Sequence, residues 1–387
     1  MVRKVCIITA TRAEFGPLKC LIEGVIKDPD LELQLIVTGA HLSPEFGNTV
    51  EQIVESNIPI SKRIEILLSS DSAIGVGKTM GLALISFSEA FQELNPDLII
   101  VLGDRYELIP IVSAANIAQI PVAHISGGEV TEGAIDDLIR HSVTKMSQLH
   151  FTAMKEYSKR VIQMGEQPSR VFTVGEPGLD NLNKMNLLTR DSFQDSINCK
   201  LHKKNLLITY HPVTTETIEN VKVSFQEILS SLDELKDTLL IFTKANADVG
   251  GRIINQMIDD YVFVSPDKAI AFNSLGQLRY LSALKYVDAV VGNSSSGICE
   301  APSLKVATIN IGNRQKGRIK AASTIDVETN KKDIMNAIEY IYSPEFRIIL
   351  CSVNNPYGDG YTTQRIIDII KKVNIDELKC KQFYDIK

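Results

Sequence analysis

Hydrophobic positions in the first half of the chain come in short, nearly unbroken runs. Between them lie longer stretches in which apolar residues recur every three or four positions. The runs KVCIITA (4–10), ELQLIVTG (32–39), RIEILL (63–68), DLIIVLGD (97–104), PVAHIS (121–126), LHFTA (149–153) and VFTVG (171–175) lack the alternation of a half-exposed strand. Each predicts a parallel strand covered on both faces. The intervening stretches at 75–95 and 135–148 are amphipathic. In the second of these Ile135, Leu138, Ile139, Val143 and Met146 recur at helical spacing. Strand–helix alternation of this kind predicts a doubly wound α/β domain.

The pattern breaks at 176–205, which is polar and without strands, and reads as an interdomain connection. A second series then begins with LLITYHP (206–212), TLLIFTKA (238–245), YVFVS (261–265), DAVVGNS (288–294) and KVATINIG (305–312), followed by an amphipathic helix at 361–375. The expected architecture is two Rossmann-like doubly wound domains with a cleft between them. The first covers 1–176 and is completed by the C-terminal segment 361–387; the second covers 177–360.

With 387 residues, 44% of them hydrophobic and 23% charged, there is enough apolar material for two cores. The net charge of −6 and the absence of a long basic run argue against nucleic acid or an anionic membrane as partner. None of the six cysteines forms a C-x-x-C pair, so neither a zinc site nor a redox motif is predicted. The N-terminal apolar run is too short for a signal peptide, and no stretch reaches the length of a membrane span. A reduced, cytoplasmic protein is expected.

Ligands of open α/β sheets bind beyond the carboxyl ends of the strands, and that rule selects the candidate chemistry. Arg12 and Glu14 follow the first run, Asp104 and Arg105 the fourth, Glu129 and Asp136 the fifth. In the second half come His211, Asn246 and Asp248, the serines Ser294, Ser295 and Ser296 with Gly297, and then Glu300, Arg314 and Arg318. A Gly–Asn–Ser–Ser–Ser–Gly turn running from a strand into a helix offers backbone N–H and hydroxyl donors to an anion such as a diphosphate; the plainer reading is a serine-capped helix start. Asp104, Glu129 and Asp136 are candidates for proton transfer, with Asp104 and Asp136 also open to reading as helix N-caps. SAIGVGKT (72–79) imitates a phosphate-binding loop, but Ser72 stands where the first glycine belongs and Lys78 falls in the opening of a helix.

The strings GDRYE, GGEVTEGAIDDLIRHSVTK, QMGE, HPVTTET, GNSSSGICEAPSL and NIGNRQKGR resemble, in order and over essentially the whole chain, the hydrolysing UDP-N-acetylglucosamine 2-epimerases of bacterial sialic-acid synthesis. Relatives acting on a 2,4-diacetamido-trideoxyhexose in legionaminic-acid synthesis share these motifs. The resemblance implies a GT-B-like fold, a UDP-sugar substrate, UDP as product, no cofactor or metal, and a homodimer or homotetramer. It places the diphosphate on Ser294, Ser295 and Ser296, the ribose on Glu300, phosphate-side contacts on Arg12 and His211, and the uracil on 272–281. Asp104, with Arg105 beside it, and Asp136 take catalytic roles. One position departs: where many members read H-x-E-G-G-E, this chain reads HISGGE, with Ser126 in place of the acid. Glu129 or Asp136 would then have to cover that role. A non-hydrolysing epimerase, a glycosyltransferase of the same fold and a non-catalytic UDP-sugar sensor are the rival readings.

Overall fold

The computed structural model describes residues 2–68, 72–131, 135–212, 218–245 and 251–386. The chain divides into two compact units. One comprises Met1–Glu129, Ile135–Asn183 and Tyr357–Lys387; the other Val130–Ala134 and Lys184–Pro356. The divisions expected after 176 and 360 thus fall after 183 and 356.

The first unit holds seven strands: β1 (Arg3–Thr9), β2 (Leu31–Thr38), β3 (Lys62–Ile64), β4 (Leu98–Leu102), β5 (Val122–Ile125), β6 (Leu149–Thr152) and β7 (Val171–Thr173). All pair in parallel, in the order β3-β2-β1-β4-β5-β6-β7. The unbroken apolar runs follow from this burial. Val5 and Ile7 of β1 face a core built with Leu18, Leu21, Ile22 and Val25 of the helix Arg12–Lys27. Cys6 and Ile8 face the opposite core, with Phe87, Phe91, Ile111 and Val143. Successive residues of a strand point to opposite sides, so a sheet covered twice needs both sets apolar. Ile366, Ile367 and Ile370 of the helix Thr362–Lys372 enter the first core. A Cβ at Gly24 would meet Ile367 Cδ1 at 2.6 Å and Thr363 Cγ2 at 2.9 Å, so a larger residue there would force these side chains to shift. The order reverses between β1 and β4, which makes that edge the expected ligand position.

The second unit repeats the plan with β8 (Lys204–Thr209), β9 (Thr238–Thr243), β10 (Ala269–Phe272), β11 (Ala289–Gly292), β12 (Ala307–Ile311) and β13 (Thr324–Val327), in the order β10-β9-β8-β11-β12-β13. The strand expected at 261–265 is not one. Those residues close the helix Gly251–Val264, and the strand is the later β10. A short apolar run does not distinguish strand from helix end. Here Tyr261 and Val262 pack on the core while Phe263 and Val264 are 86% and 79% exposed, a helical rather than a two-sided distribution. β13 was not anticipated. It is an edge strand, only partly buried and carrying Asp326. Helices Asp180–Lys184 and Arg190–Ile197 fill much of the stretch read as a connection, and β8 already begins at its last two residues. Ser72 caps the helix Ala73–Leu94 by accepting from Gly75 N at 3.1 Å, which leaves Lys78 inside a helix and no phosphate loop.

Candidate active site

In the first unit the candidate groups gather at the carboxyl ends of β1, β4 and β5. His124 of β5 is fully buried between two partners: Nε2 lies 2.7 Å from the Gly103 carbonyl and Nδ1 3.0 Å from Thr144 Oγ1. A carbonyl only accepts, so Nε2 carries the proton and Nδ1 accepts from the threonine. Burial pushes the imidazole down to about 3, so it stays neutral. Its role is to hold Gly103, and with it the turn that presents Asp104.

Asp104 accepts from Arg140 of the helix Ile135–Met146. Arg140 is 1% exposed and also donates to the Glu129 carbonyl at 3.2 Å and to Asp137 at 3.4 Å. A guanidinium taken out of water needs such a set of acceptors, and this one ties the β4 turn to the segment after β5. Glu107, not Asp104, is the N-cap residue of the helix Leu108–Ile117, and Arg105 pairs with Glu107 at 3.3 Å. Glu129 is buried, whereas Asp136 is exposed in the first turn of its helix.

At the end of β1, Arg12 opens its helix and is exposed. Glu14 turns back so that Oε2 accepts from Ala10 N at 2.6 Å and Thr11 N at 3.1 Å, while Oε1 is buried without a partner. Burial pushes this carboxyl up to about 7; the two backbone bonds and Arg105 oppose the shift, and Glu107 adds to it.

In the second unit Asn293 follows β11 and clamps His211, which follows β8. Its Oδ1 accepts from His211 N and its Nδ2 donates to His211 O, both at 2.8 Å. Gly292 runs against the Thr209 carbonyl at φ 139°, where any Cβ would clash. Ser294 is the N-cap of the short helix Ser295–Cys299 and accepts from Ser296 N at 3.4 Å; Ser295 is exposed. A Cβ on Gly297 would meet Thr308 Cγ2 at 2.7 Å, so a larger residue there would displace the threonine that donates to the Gly297 carbonyl. Arg314 and Gln315 both donate to the Asn293 carbonyl, at 3.0 and 2.9 Å, so Arg314 braces the serine turn.

Glu300 follows that helix. Its Oε2 is out of reach of solvent and has no hydrogen-bond partner. Burial pushes the carboxyl up to about 7, against the pull of Ser296 and Arg318. An orphaned buried carboxylate oxygen calls for a donor, such as a ligand hydroxyl. Tyr280, within the 272–281 segment, places its hydroxyl among Ser296, Thr209 and Ser294, and burial raises its pKa. Sequence reasoning did not single out Tyr280, Asn293 or Arg140. Asn246 and Asp248 lie outside the described residues. Among the described residues no group of acidic, histidine or cysteine side chains could hold a metal ion, and no helix is long and apolar enough to cross a membrane.

Comparison with known proteins gives consistent results. The family model described as UDP-N-acetylglucosamine 2-epimerase matches residues 24–371. The GDP/UDP-N,N'-diacetylbacillosamine 2-epimerase (hydrolyzing) of Campylobacter jejuni is 45% identical over 99% of both chains. Polysialic acid biosynthesis protein P7 of Escherichia coli is 38% identical over 99% of this chain and 98% of its own. The crystal structure of UDP-GlcNAc 2-epimerase from Neisseria meningitidis bound to UDP-GlcNAc superposes with a TM-score of 0.81 at 18% identity, covering 96% of this chain and all of that one. That likeness shows the fold, a GT-B-like pair of Rossmann-like domains. With two such parallel sheets and a family match spanning both, this chain belongs to the UDP-N-acetylglucosamine 2-epimerase family.

Proposed function

We propose that the chain is a hydrolysing UDP-sugar 2-epimerase, converting a UDP-2-acetamido sugar and water to UDP and the free 2-epimer. One observation carries the nucleotide half of this reading: a serine-rich turn braced by Arg314 and Gln315 lies next to a buried carboxylate oxygen in need of a donor. A nucleoside diphosphate offers both complements, an anion for the turn and ribose hydroxyls for Glu300. The reaction rests on family membership and on the hydrolysing relative at 45% identity.

The steps follow from the substrate. A base takes the C2 proton, the C–H electron pair becomes the C1–C2 double bond, and the C1–O bond breaks with its pair on UDP. Water then adds to C1 of the 2-acetamidoglycal, and C2 is reprotonated on the opposite face. The C2 proton is weakly acidic, so stabilising the leaving diphosphate is the main demand. Preorganised donors in the serine turn, with Arg12 and His211, meet it. Asp104, Glu129 and Asp136 are the carboxylates assigned to the sugar, with Arg105 beside Asp104. Asn246 and Asp248 are assigned to substrate binding.

UDP-N-acetylglucosamine, giving N-acetylmannosamine for sialic-type acid synthesis, is the substrate the motifs imply. The relative at 45% identity favours a second reading, the same reaction on UDP-2,4-diacetamido-2,4,6-trideoxyglucose. Release of UDP measured on each sugar in parallel tests both. The larger kcat/KM names the substrate, and binding of both without release would replace the enzyme with a sensor.

A further inference from the structure

Ser126 stands at the end of β5 in the left-handed region, φ 63°, with its N–H bonded to the Phe151 carbonyl at 2.9 Å. Its hydroxyl donates to Oε2 of Glu176 at 3.2 Å. Glu176 comes from beyond β7, two strands away in the sheet order. Its backbone is held from the other side: Glu176 N donates to the Tyr357 carbonyl at 2.8 Å, and Gly175 and Gly358 approach so closely that a Cβ on Gly358 would sit 3.1 Å from Gly175 Cα. The residue precedes the short turn Pro177–Leu179 but makes no side-chain cap to it. The carboxylate is directed instead to the end of β5. β5 pairs with β4, with Ile125 opposite Leu102, so Ser126 lies beside the turn that carries Asp104.

Two proton transfers on opposite faces of one carbon need more than one acid–base group. Asp104 has its charge engaged by Arg140. Glu129 is buried and Asp136 is exposed. Resting on the epimerase reading above, we propose that Glu176 is the catalytic carboxylate that removes the C2 proton, and that Ser126 is the residue that positions it. A carboxylate thus reaches from the end of β7 the place that an acid directly after β5 takes in H-x-E-G-G-E relatives. In this step Glu176 accepts the proton, the C2 electron pair forms the C1–C2 double bond, and UDP departs with the electrons of the C1–O bond. The hydrogen bond from the Ser126 hydroxyl fixes the direction of the carboxylate.

The test uses the full chain in three forms: wild type, Glu176→Gln, and Glu176→Gln combined with Ser126→Glu. The expected result for Glu176→Gln is a fall in kcat of about 100-fold or more, with the Kd for UDP unchanged. Adding Ser126→Glu should recover at least about 10-fold of the loss, because the acid then returns by the shorter route. A role in folding alone would not produce rescue by a second substitution at a different strand. Three results overturn the assignment: near wild-type turnover in Glu176→Gln, loss of UDP affinity along with turnover, or failure of Ser126→Glu to restore activity. A wild-type chain that binds UDP-sugars but never releases UDP would instead overturn the epimerase reading itself.

Discussion

Asn293 and the backbone of His211 form a closed two-bond pair, N–H to Oδ1 and Nδ2–H to carbonyl, each 2.8 Å. The strand ends of β8 and β11 are thereby locked together where the serine turn begins. Asn293→Ala removes both bonds, each worth about 0.5–1.5 kcal/mol net. UDP affinity should fall by about tenfold in titration calorimetry, a change of about 1.4 kcal/mol. An unchanged Kd would separate the clamp from the nucleotide site.

The serine turn and Glu300 are separable. Ser295→Ala deletes an exposed hydroxyl without disturbing the cap provided by Ser294. It should weaken UDP and inorganic diphosphate alike. Glu300→Ala should weaken UDP but leave diphosphate binding intact, because its free oxygen is assigned to a ribose hydroxyl. Competition binding with the two ligands reads the difference. Equal losses for both ligands in both variants would contradict the division of labour.

Asp104 and Arg140 make opposite predictions for activity and stability. Asp104→Asn should abolish turnover while UDP still binds, since the serine turn and Glu300, the main groups proposed for the nucleotide, lie in the other unit. Arg140→Met leaves Asp104 and Asp137 without their buried cation. Breaking a buried pair costs about 3–5 kcal/mol, and the partial exposure of both carboxylates puts the expected loss near the lower end, about 3 kcal/mol. Urea unfolding of the two variants distinguishes a chemical from a structural residue. Wild-type turnover in Asp104→Asn would remove that residue from the mechanism.

Stability should decline towards both ends of the pH range, for different reasons. Glu166 is buried; burial alone would raise its pKa, but His150, Lys145 and Lys381 around it bring it down to about 2. Its contribution is full above the unfolded value of 4.5 and is lost as pH falls towards 2. Glu14 and Glu300 act in the other direction. Each is held up to about 7 by burial, so the folded chain binds more protons than the unfolded one between 4.5 and 7. The stability tied to them is full below 4.5 and lost as pH rises through 7. Thermal melting at pH 4, 6 and 8 should show Glu166→Gln narrowing its deficit against wild type on the acid side, and Glu14→Gln gaining on wild type at pH 8. A deficit of Glu166→Gln that is the same at every pH would refute the first assignment. Failure of Glu14→Gln to gain would refute the second.

Much of this was legible in the sequence because buried parallel strands carry an unmistakable apolar signature. All seven runs of the first half correspond to strands, since both faces of that sheet are covered. The errors fall where burial is one-sided. The apolar end of helix Gly251–Val264 imitated a strand, and the partly exposed edge strand β13 did not announce itself. Among the candidate residues, strand-end position alone picked out Asp104, His211 and the serine turn. The groups that hold them were hidden. Arg140 sits mid-helix and Asn293 reads as one more turn residue, because neither partner is near in sequence. Glu176 lay at the start of a stretch read as a connection, and only the fold brings it to Ser126.

The central claim is that this chain breaks a UDP-sugar bond with inversion at C2. A proton NMR time course in deuterated water, run separately on UDP-N-acetylglucosamine and UDP-2,4-diacetamido-2,4,6-trideoxyglucose, tests it most directly. The expected products are free UDP and a reducing 2-epimer that carries deuterium at C2. A UDP-sugar recovered intact, or epimerised with its nucleotide still attached, would contradict it.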